Sequence, residues 1–447
     1  MTDADPPLRE VTLEEAMAIA ILFQKHGQLA DAEDVYRQIR ERVPDHPDVL
    51  HFSGVLAHQQ GRSDEAIALI EQSLALDPEQ ADCYSNLGII FKAKGRRTDA
   101  IAAYQEAIRL NPEHANAHSN LGVLFRAEGK LADAEAMYRR AIELNPSHID
   151  AYHNLGVLLA AAGRTKEAVA CYCRVTTLCP QHPEARRLLA MAHCTLGEMD
   201  KAADIFRGWL AEDPSNAIAQ HMLSAVTGQA VPARASDAYV ERVFDDFSGS
   251  FDEKLASLSY RAPAIVGALV ANAGFDANKA LDVLDAGCGT GLCGPFLSGY
   301  ARTLTGVDLS AGMLAQAEKK SVYDALVKDE LTAFLHAHPS AYDVIVSADT
   351  LVYFGGLEDL SAAAWSALRP GGILVFTLEA WAEADGDATY EIGTHGRYRH
   401  ARGYVERAIG AAGFVCEIVP AELRMEAGSP VDGLAVRARK VTGDQHA

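Results

Sequence analysis

The sequence predicts two domains of different class, an all-α array of stacked helices followed by an α/β domain built on a mostly parallel sheet. Three observations carry this expectation. Proline recurs every 34 residues from Pro44 through Pro78, Pro112, Pro146 and Pro180 to Pro214. The stretch 281–291, LDVLDAGCGTG, is a buried strand running into a glycine-rich turn, and 304–308, LTGVD, is a second apolar run that closes on an acid. At 447 residues the chain exceeds what one core supports, and 49% hydrophobic against 23% charged residues is the balance of a folded globular protein.

Six 34-residue units span 13–46, 47–80, 81–114, 115–148, 149–182 and 183–216. In each, a small residue (Ala32, Ala66, Ala100, Ala134, Ala168, Ala202) stands where two antiparallel helices must approach, and a glycine from Gly27 to Gly197 falls at the turn between them. Proline then closes the second helix. Residues 217–228 read as a closing helix with one face toward solvent, so the array covers 13–228. The pattern resembles the tetratricopeptide repeat (TPR). At the sixth position of repeats three to five stand Asn86, Asn120 and Asn154, each in the context NLG, where the other repeats carry Ala18, Phe52 and Leu188. That context is similar to the repeats of O-linked GlcNAc transferases, whose asparagines grip an extended peptide by its backbone. The resemblance implies a protein or peptide partner on the concave face. An Asn amide carries both donor and acceptor, so it pairs with a peptide unit without reading the side chain. The alternative is that these asparagines simply fit the contact between repeats.

The segment 226–236, VTGQAVPARAS, has the glycine, proline and serine of a linker, placed at 229–240. Phe244, Phe247 and Phe251 follow about one helical turn apart, with Tyr260 and Arg261 behind them, and read either as packing or as an aromatic lid with substrate contacts. The second domain is assigned to 241–440.

Within LDVLDAGCGTG, Leu281, Val283 and Leu284 suit a strand covered on both faces, and Gly287, Gly289 and Gly291 let backbone approach a ligand closely. The dinucleotide pattern G-x-G-x-x-G needs a glycine at 292, where Leu292 stands, and no lysine follows Gly291 to complete a triphosphate loop. The acid closing LTGVD, Asp308, stands where a doubly wound fold accepts hydrogen bonds from ribose hydroxyls. A ribose without a pyrophosphate fits best. Cys288 within the turn reads as a small filler.

These residues resemble the class I S-adenosylmethionine-dependent methyltransferases over roughly 240–440. VLDAGCGTG is similar to their first motif, GVDLS with Met313 and Leu314 to the second, YDVIVSADTLVYF to the fourth, and LRPGGILVFT to the turn and strand that follow. The resemblance implies a Rossmann-like sheet of seven strands and S-adenosyl-L-methionine as cofactor. It places Gly287, Gly289 and Gly291 under the methionine part, Asp285 on its amino group, Asp308 on the ribose and Met313 on the adenine. Asp329 or Glu330 would accept from the adenine amine, with Leu309, Leu331 and Ala348 beside them. The whole order of segments is similar to a bacterial family described as predicted tetratricopeptide-repeat methyltransferases.

The motif after the fourth strand is ADTLVYF, without the [DN]-P-P-[YF] that orients an amine and without the Pro-Cys of cytosine carbon methylation. Oxygen is therefore favoured over nitrogen as acceptor, a carboxylate included, since it needs no deprotonation at neutral pH. Asp349 here reads equally as a helix cap or a substrate contact. The insertion EADGDATYEIGTHGRYRHARGY gathers His395, Arg397, Tyr398, Arg399, His400 and Arg402, a basic patch that would attract an acidic acceptor. His395 or His400 is the candidate base, Arg397 and Tyr398 are substrate contacts, and Tyr353 is a further acceptor-side candidate.

Composition sets limits on partners. Forty basic against 61 acidic residues leave a formal charge of −21, which repels nucleic-acid backbones. The start, MTDADPPLREVTLEE, lacks a signal peptide's basic head and apolar core, and no apolar run approaches the ~18 residues of a membrane span, so a cytoplasmic protein off the membrane is expected. Cys171, Cys173, Cys179 and Cys194 lack paired C-x-x-C spacing, and no metal site is expected. The leading expectation is a methyltransferase acting on a protein or peptide side chain or terminus that the repeats recruit. Behind it stand a small-molecule methyltransferase whose repeats only mediate assembly, and a scaffold that binds the cofactor without turnover.

Overall fold

The computed structural model describes residues 11–245, 247–384, 386–426 and 428–441. The chain divides into two compact units, Met1–Ala192 and His193–Ala447.

The first unit is a run of helix pairs, from Leu13–Lys25 with Leu29–Arg42 to Ile149–Ala161 with Thr165–Leu178. The periodic alanines make close approach possible: Ala32, Ala66, Ala100, Ala134 and Ala168 are fully buried. Tyr36, Tyr104, Tyr138 and Tyr172 fill the space beside them. Glycine on the first helix of a pair completes the fit, because a Cβ at Gly88, Gly122 or Gly156 would meet the facing ring of Tyr104, Tyr138 or Tyr172 at 2.5, 2.8 and 2.6 Å. The turn glycines have a different reason, a left-handed backbone with φ of +74° at both Gly129 and Gly163. His114 and His148, 34 residues apart at the ends of their repeats, cap the first helix of the next repeat by accepting from Ala117 N and Ala151 N at 3.3 Å.

The second unit begins with Met199–Glu212 and the closing helix Ala217–Thr227, which Asn216 caps and Gly228 ends at φ +64°. The face of that closing helix expected to meet solvent is covered. His221 stacks on Tyr239 at 3.9 Å, its Nε2 lies 2.8 Å from Gly396 O, and Met222 is buried with it. The linker is likewise held down: Ala233 O accepts from Gly355 N and Gly356 N, Ala235 N donates to Tyr353 O, and Pro232 O accepts from Tyr398 Oη.

The sheet strands are β1 Leu281–Ala286, β2 Ala301–Asp308, β3 Ala325–Lys328, β4 Tyr342–Ser347, β5 Leu368–Ala380, β6 Tyr390–Ile392, β7 Tyr398–His400, β8 Phe414–Glu426 and β9 Ser429–Lys440. Five parallel strands run in the order β3-β2-β1-β4-β5, with β9 antiparallel on β5 and β8 outside it. The insertion supplies the two strands beyond the expected seven, a β6–β7 hairpin whose β7 joins the end of β5 at Glu379 and Ala380. Alternate residues feed two cores. Leu284, Ile345, Leu374 and Phe376 pack on one face with Leu360, Ala364 and Val405, while Val283, Val344, Val346, Ile373 and Val375 pack on the other with Val266 and Val270. Such a sheet leaves the carboxyl ends of its parallel strands free for a site, on either side of the β1–β4 crevice where strand order reverses. Among the described residues no helix is long and apolar enough to cross a membrane, and no cluster of three or more metal-ligating side chains occurs.

Candidate functional site: a lidded cavity at the carboxyl ends of the strands

A cavity of about 310 Å³ opens at these strand ends, lined by the glycine turn, the acids after β2 and β3, the residues after β4 and the aromatic segment ahead of the sheet. The turn is tied to the sheet because Gly287 N and Cys288 N both donate to Val307 O. At Gly287, φ is +76° and a Cβ would lie 2.2 Å from Thr350 Oγ1, so no side chain fits there. Gly289 lines the cavity and has nothing within 4 Å of a built Cβ, which leaves room for a ligand against its backbone. Gly291 is outside the cavity wall; its missing side chain makes way for Tyr323 at 2.8 Å.

Two carboxylates flank the turn. Asp308 accepts from Gly289 N at 2.9 Å on one oxygen and from Ser310 N at 2.8 Å on the other. Burial raises its carboxyl despite these donors and a third from the Leu309 backbone, and four lone pairs against three donors leave room for a further one. Asp285 is 1% exposed; Tyr323 Oη donates to its Oδ2 at 2.6 Å, while Oδ1 is buried without a partner. Burial pushes this carboxyl up to about 7, against the Tyr323 hydrogen bond that lowers it. An orphaned carboxylate oxygen beside a glycine cradle fits an ammonium group and the main chain that carries it. Met313, Leu309, Leu331 and Ala348 line the cavity as the resemblance implies. So do Asp329 and Glu330, but their oxygens are unequally committed: Glu330 caps the helix Leu331–Ala337 through Thr332 N and Ala333 N at 3.0 and 2.9 Å, whereas Asp329 spends one oxygen on Glu330 N. Asp329 has the freer acceptor.

The lid is built of Phe244, Phe247, Phe251, Leu255 and Leu258, all on the cavity wall, with Phe251 edge-on to Phe244 and Phe247 at 6.0 and 5.8 Å. It is fastened to the loops after β1 and β2. Asp245 accepts from Ser310 Oγ at 2.5 Å and Gly312 N at 3.1 Å, and Asp252 accepts from Thr290 Oγ1 and pairs with Lys320 at 2.8 Å. Lys320 in turn donates to Thr290 O at 2.7 Å.

The opposite wall carries Tyr260, Asp349, Tyr353, Arg397, Arg424 and Glu426. Arg424, 3% exposed, comes from β8 and binds three carboxylates: Asp349 Oδ2 at 2.6 Å, Glu426 at 2.6 Å and Glu379. Arg397 bonds Glu379 at 2.5 Å and Glu426 at 2.8 Å. Arg424, Glu379 and Glu426 have no local signature; only the pairing of β5 with β9 and β9 with β8 brings them together.

Several site expectations are corrected here. His400 is fully buried beneath Gly355, whose carbonyl is 3.1 Å from its Nε2, and burial lowers its imidazole to about 4; it is a core residue, not a base facing the cavity. His395 is off the cavity wall, 3.7 Å from Glu379, and burial with the nearby Arg397 charge holds it at about 4. Tyr398 is buried and anchors the linker. Arg261, exposed and off the wall, pairs with Glu422 at 3.0 Å. The basic patch does not attract an acid, because Arg397 is matched by Glu379 and Glu426, Arg399 by Glu391 and Arg402 by Glu406. Tyr353 does line the cavity, but burial raises its phenol, so it offers a donor at neutral pH.

A second cavity, about 730 Å³, lies within the repeat unit and is lined by Asn86, Asn120 and Asn154 together with Phe52, Asp82, His114, His148 and Asp150. Asn86 Nδ2 lies 2.8 Å from His51 Nε2. Among the described residues, the amides of Asn120 and Asn154 have no partner within the chain.

Comparisons with known proteins fit this division. Residues 283–372 match the family described as "Methyltransferase domain", and 17–81, 86–149, 124–183 and 153–217 match "Tetratricopeptide repeat". The N-terminal half carries TPR repeats and the C-terminal half a methyltransferase domain. The chain is 28% identical over 226 residues to the biotin biosynthesis bifunctional protein BioHC of Saccharophagus degradans, covering 46% of this chain and 38% of that one. It is 35% identical over 95 residues to the malonyl-[acyl-carrier protein] O-methyltransferase of Enterobacter lignolyticus, covering 21% and 38%. The chain thus spans under half the length of these relatives. A solved structure of Pseudomonas aeruginosa pilF is 19% identical with a TM-score of 0.43, covering 47% of this chain and 96% of that chain.

Proposed function

We propose that this protein is an S-adenosylmethionine-dependent methyltransferase that modifies an oxygen on a polypeptide held by the repeat groove. The observation that carries the reading is the pair of buried acids flanking the glycine turn, Asp308 on the wall of a cavity roofed by aromatic side chains and Asp285 behind the turn, off that wall, with an orphaned oxygen. Asp285 would hold the cofactor's amino group, Asp308 its ribose and Asp329 its adenine amine, with Met313 against the ring. The cofactor supplies an electrophilic methyl group on a sulfonium. The chain's own contribution is positional: the turn brings main chain to the ligand, and the lid of Phe244, Phe247 and Phe251 keeps water from competing for the methyl. The E. lignolyticus relative is by name an O-methyltransferase with a protein-borne substrate, which supports oxygen as acceptor and a protein as its carrier.

Recruitment rests on the free amides of Asn120 and Asn154 in a groove large enough for an extended segment. The test is transfer of labelled methyl into a lysate, resolved by size, with the native chain and with Asn86, Asn120 and Asn154 all changed to Ala. Label in protein-sized material, falling about tenfold or more at low substrate in the variant, is expected if three backbone hydrogen bonds of ~0.5 kcal/mol each are lost. Label confined to small molecules, or a variant that transfers as well as the native chain, contradicts recruitment.

A further inference from the structure

Asp349 is the residue on the acceptor-side wall that the folded chain leaves unfinished. It follows β4, and its backbone is left-handed at φ +59°, a conformation seldom kept by a non-glycine residue without a reason. Its backbone amide donates to Thr377 Oγ1 at 2.9 Å and its Oδ2 accepts from Arg424 at 2.6 Å, so main chain and side chain are each held by one bond. Oδ1, by contrast, is buried with no partner although the residue lines the cavity. Around it the charges do not cancel. Two guanidiniums, Arg397 and Arg424, face three carboxylates, Asp349, Glu379 and Glu426, while the nearby His395 is held neutral. A carboxylate acceptor would add a fourth negative charge to a wall that is already anionic. A neutral group with a proton to give would instead satisfy the orphaned oxygen.

Sheet order puts this residue across the glycine turn from Asp308 and Asp329. Asp308 ends β2, Asp329 follows β3, Asp349 follows β4, and β1 with its glycine turn lies between. Of the other groups on this wall, Tyr260 and Tyr353 have phenols raised by burial and so stay protonated, Arg397 and Arg424 are permanent cations, and Glu426 has both oxygens engaged by those two guanidiniums.

We propose that Asp349 is the proton acceptor of the transfer and that the group methylated is a hydroxyl, alcohol or phenol, rather than a carboxylate like that of the E. lignolyticus relative's malonyl group. The inference rests on the oxygen-methyltransferase reading above. In the step, a lone pair of the hydroxyl oxygen forms the new O–C bond and displaces sulfur, which keeps the electron pair of the broken C–S bond as a neutral thioether. The hydroxyl proton passes to Asp349 Oδ1, so one positive and one negative charge vanish together. Tyr353 and Tyr260 remain as donors that orient the acceptor.

The experiment combines product chemistry with three forms of the full chain: native, Asp349→Asn and Asp349→Gly. Asn keeps the shape and an acceptor for Arg424 but is no base, and Gly tolerates the left-handed backbone. S-adenosylmethionine binding by calorimetry and the thermal midpoint are measured on each, and labelled transfer into a lysate is followed by mild alkali. The expected result is label on oxygen that survives alkali, since ethers persist where methyl esters release methanol. Transfer should fall about 10²-fold or more in both variants at unchanged cofactor affinity, and formate should restore it in Asp349→Gly alone. Alkali-labile label, or an Asp349→Asn variant that transfers at the native rate, overturns the inference while leaving the methyltransferase reading intact. Label on nitrogen, or a native chain that binds no S-adenosylmethionine, overturns that reading and the inference with it.

Discussion

Burial at the end of β1 holds the Asp285 carboxyl at about 7, so the neutral acid is the form the fold favours. A carboxyl raised in the folded state contributes stability that is fully present below about pH 4, its unfolded value, and is lost as pH rises through about 7. Moving a carboxyl over that range amounts to at most about 4 kcal/mol. Asp285→Asn should therefore flatten the fall in thermal midpoint between pH 4 and pH 7 that the native chain shows in calorimetric scans; an unchanged pH dependence would mean that burial does not raise this carboxyl. The same group gives ligand binding the opposite slope. If the ionised form holds the cofactor's ammonium group, S-adenosylmethionine should bind about tenfold more weakly at pH 6 than at pH 8, in proportion to the ionised fraction. At this scale the glycine turn and Asp308 were legible as the lining of a cavity, because they sit at fixed short spacings on adjacent elements, whereas Asp285 and Gly291 lie off its wall. The acceptor side was not. Asp349 has a neutral sequence context, and its partner Arg424, with the Glu379 and Glu426 that share this guanidinium, lies 30 to 77 positions away along the chain and is brought in by sheet pairing. The histidines misled for a related reason: a charged-looking run says nothing about which side chains a hairpin turns into the core.

Among elements, the repeat helices were the most readable, since one error-free period fixes alanine, glycine and proline at once. The sequence-level pattern did not distinguish the two kinds of glycine. Gly129 serves a left-handed turn, whereas Gly122 clears the ring of Tyr138. Both Gly122→Ala and Gly129→Ala should destabilise the chain, the first by about 1–3 kcal/mol through overpacking and the second by about 1 kcal/mol through backbone strain. Urea unfolding separates them: adding Tyr138→Phe, which keeps the ring, should not relieve Gly122→Ala, while Tyr138→Leu should. The helix caps add a further check. Asn216 caps its helix in the register that His148 occupies two repeats earlier, so His148→Asn should leave stability within about 0.5 kcal/mol of native, whereas His148→Ala should cost about 1 kcal/mol.

For the molecule as a whole, the segments expected to be least structured turn out to be fixed in the second unit. The linker carbonyls of Pro232 and Ala233 accept from the catalytic half, and the closing helix buries His221 against Tyr239 at the root of the lid. Composition shifts mark where a pattern stops, not whether the intervening backbone finds partners. The lid is then clamped to the cofactor loops by Asp252 with Thr290 and Lys320. Lys320→Ala should speed S-adenosylmethionine release in stopped-flow experiments more than it slows association, because the clamp is a half-exposed pair closing over ligand rather than a group that steers it. In the proposed function the cavity between β1, β2 and β4 takes that cofactor through Asp308. Isothermal calorimetry of S-adenosylmethionine with the full chain and with Asp308→Ala tests it most directly. One site per chain, lost in a variant whose thermal midpoint is retained, is the predicted result; absence of binding to the native chain, or undiminished binding to Asp308→Ala, would contradict it.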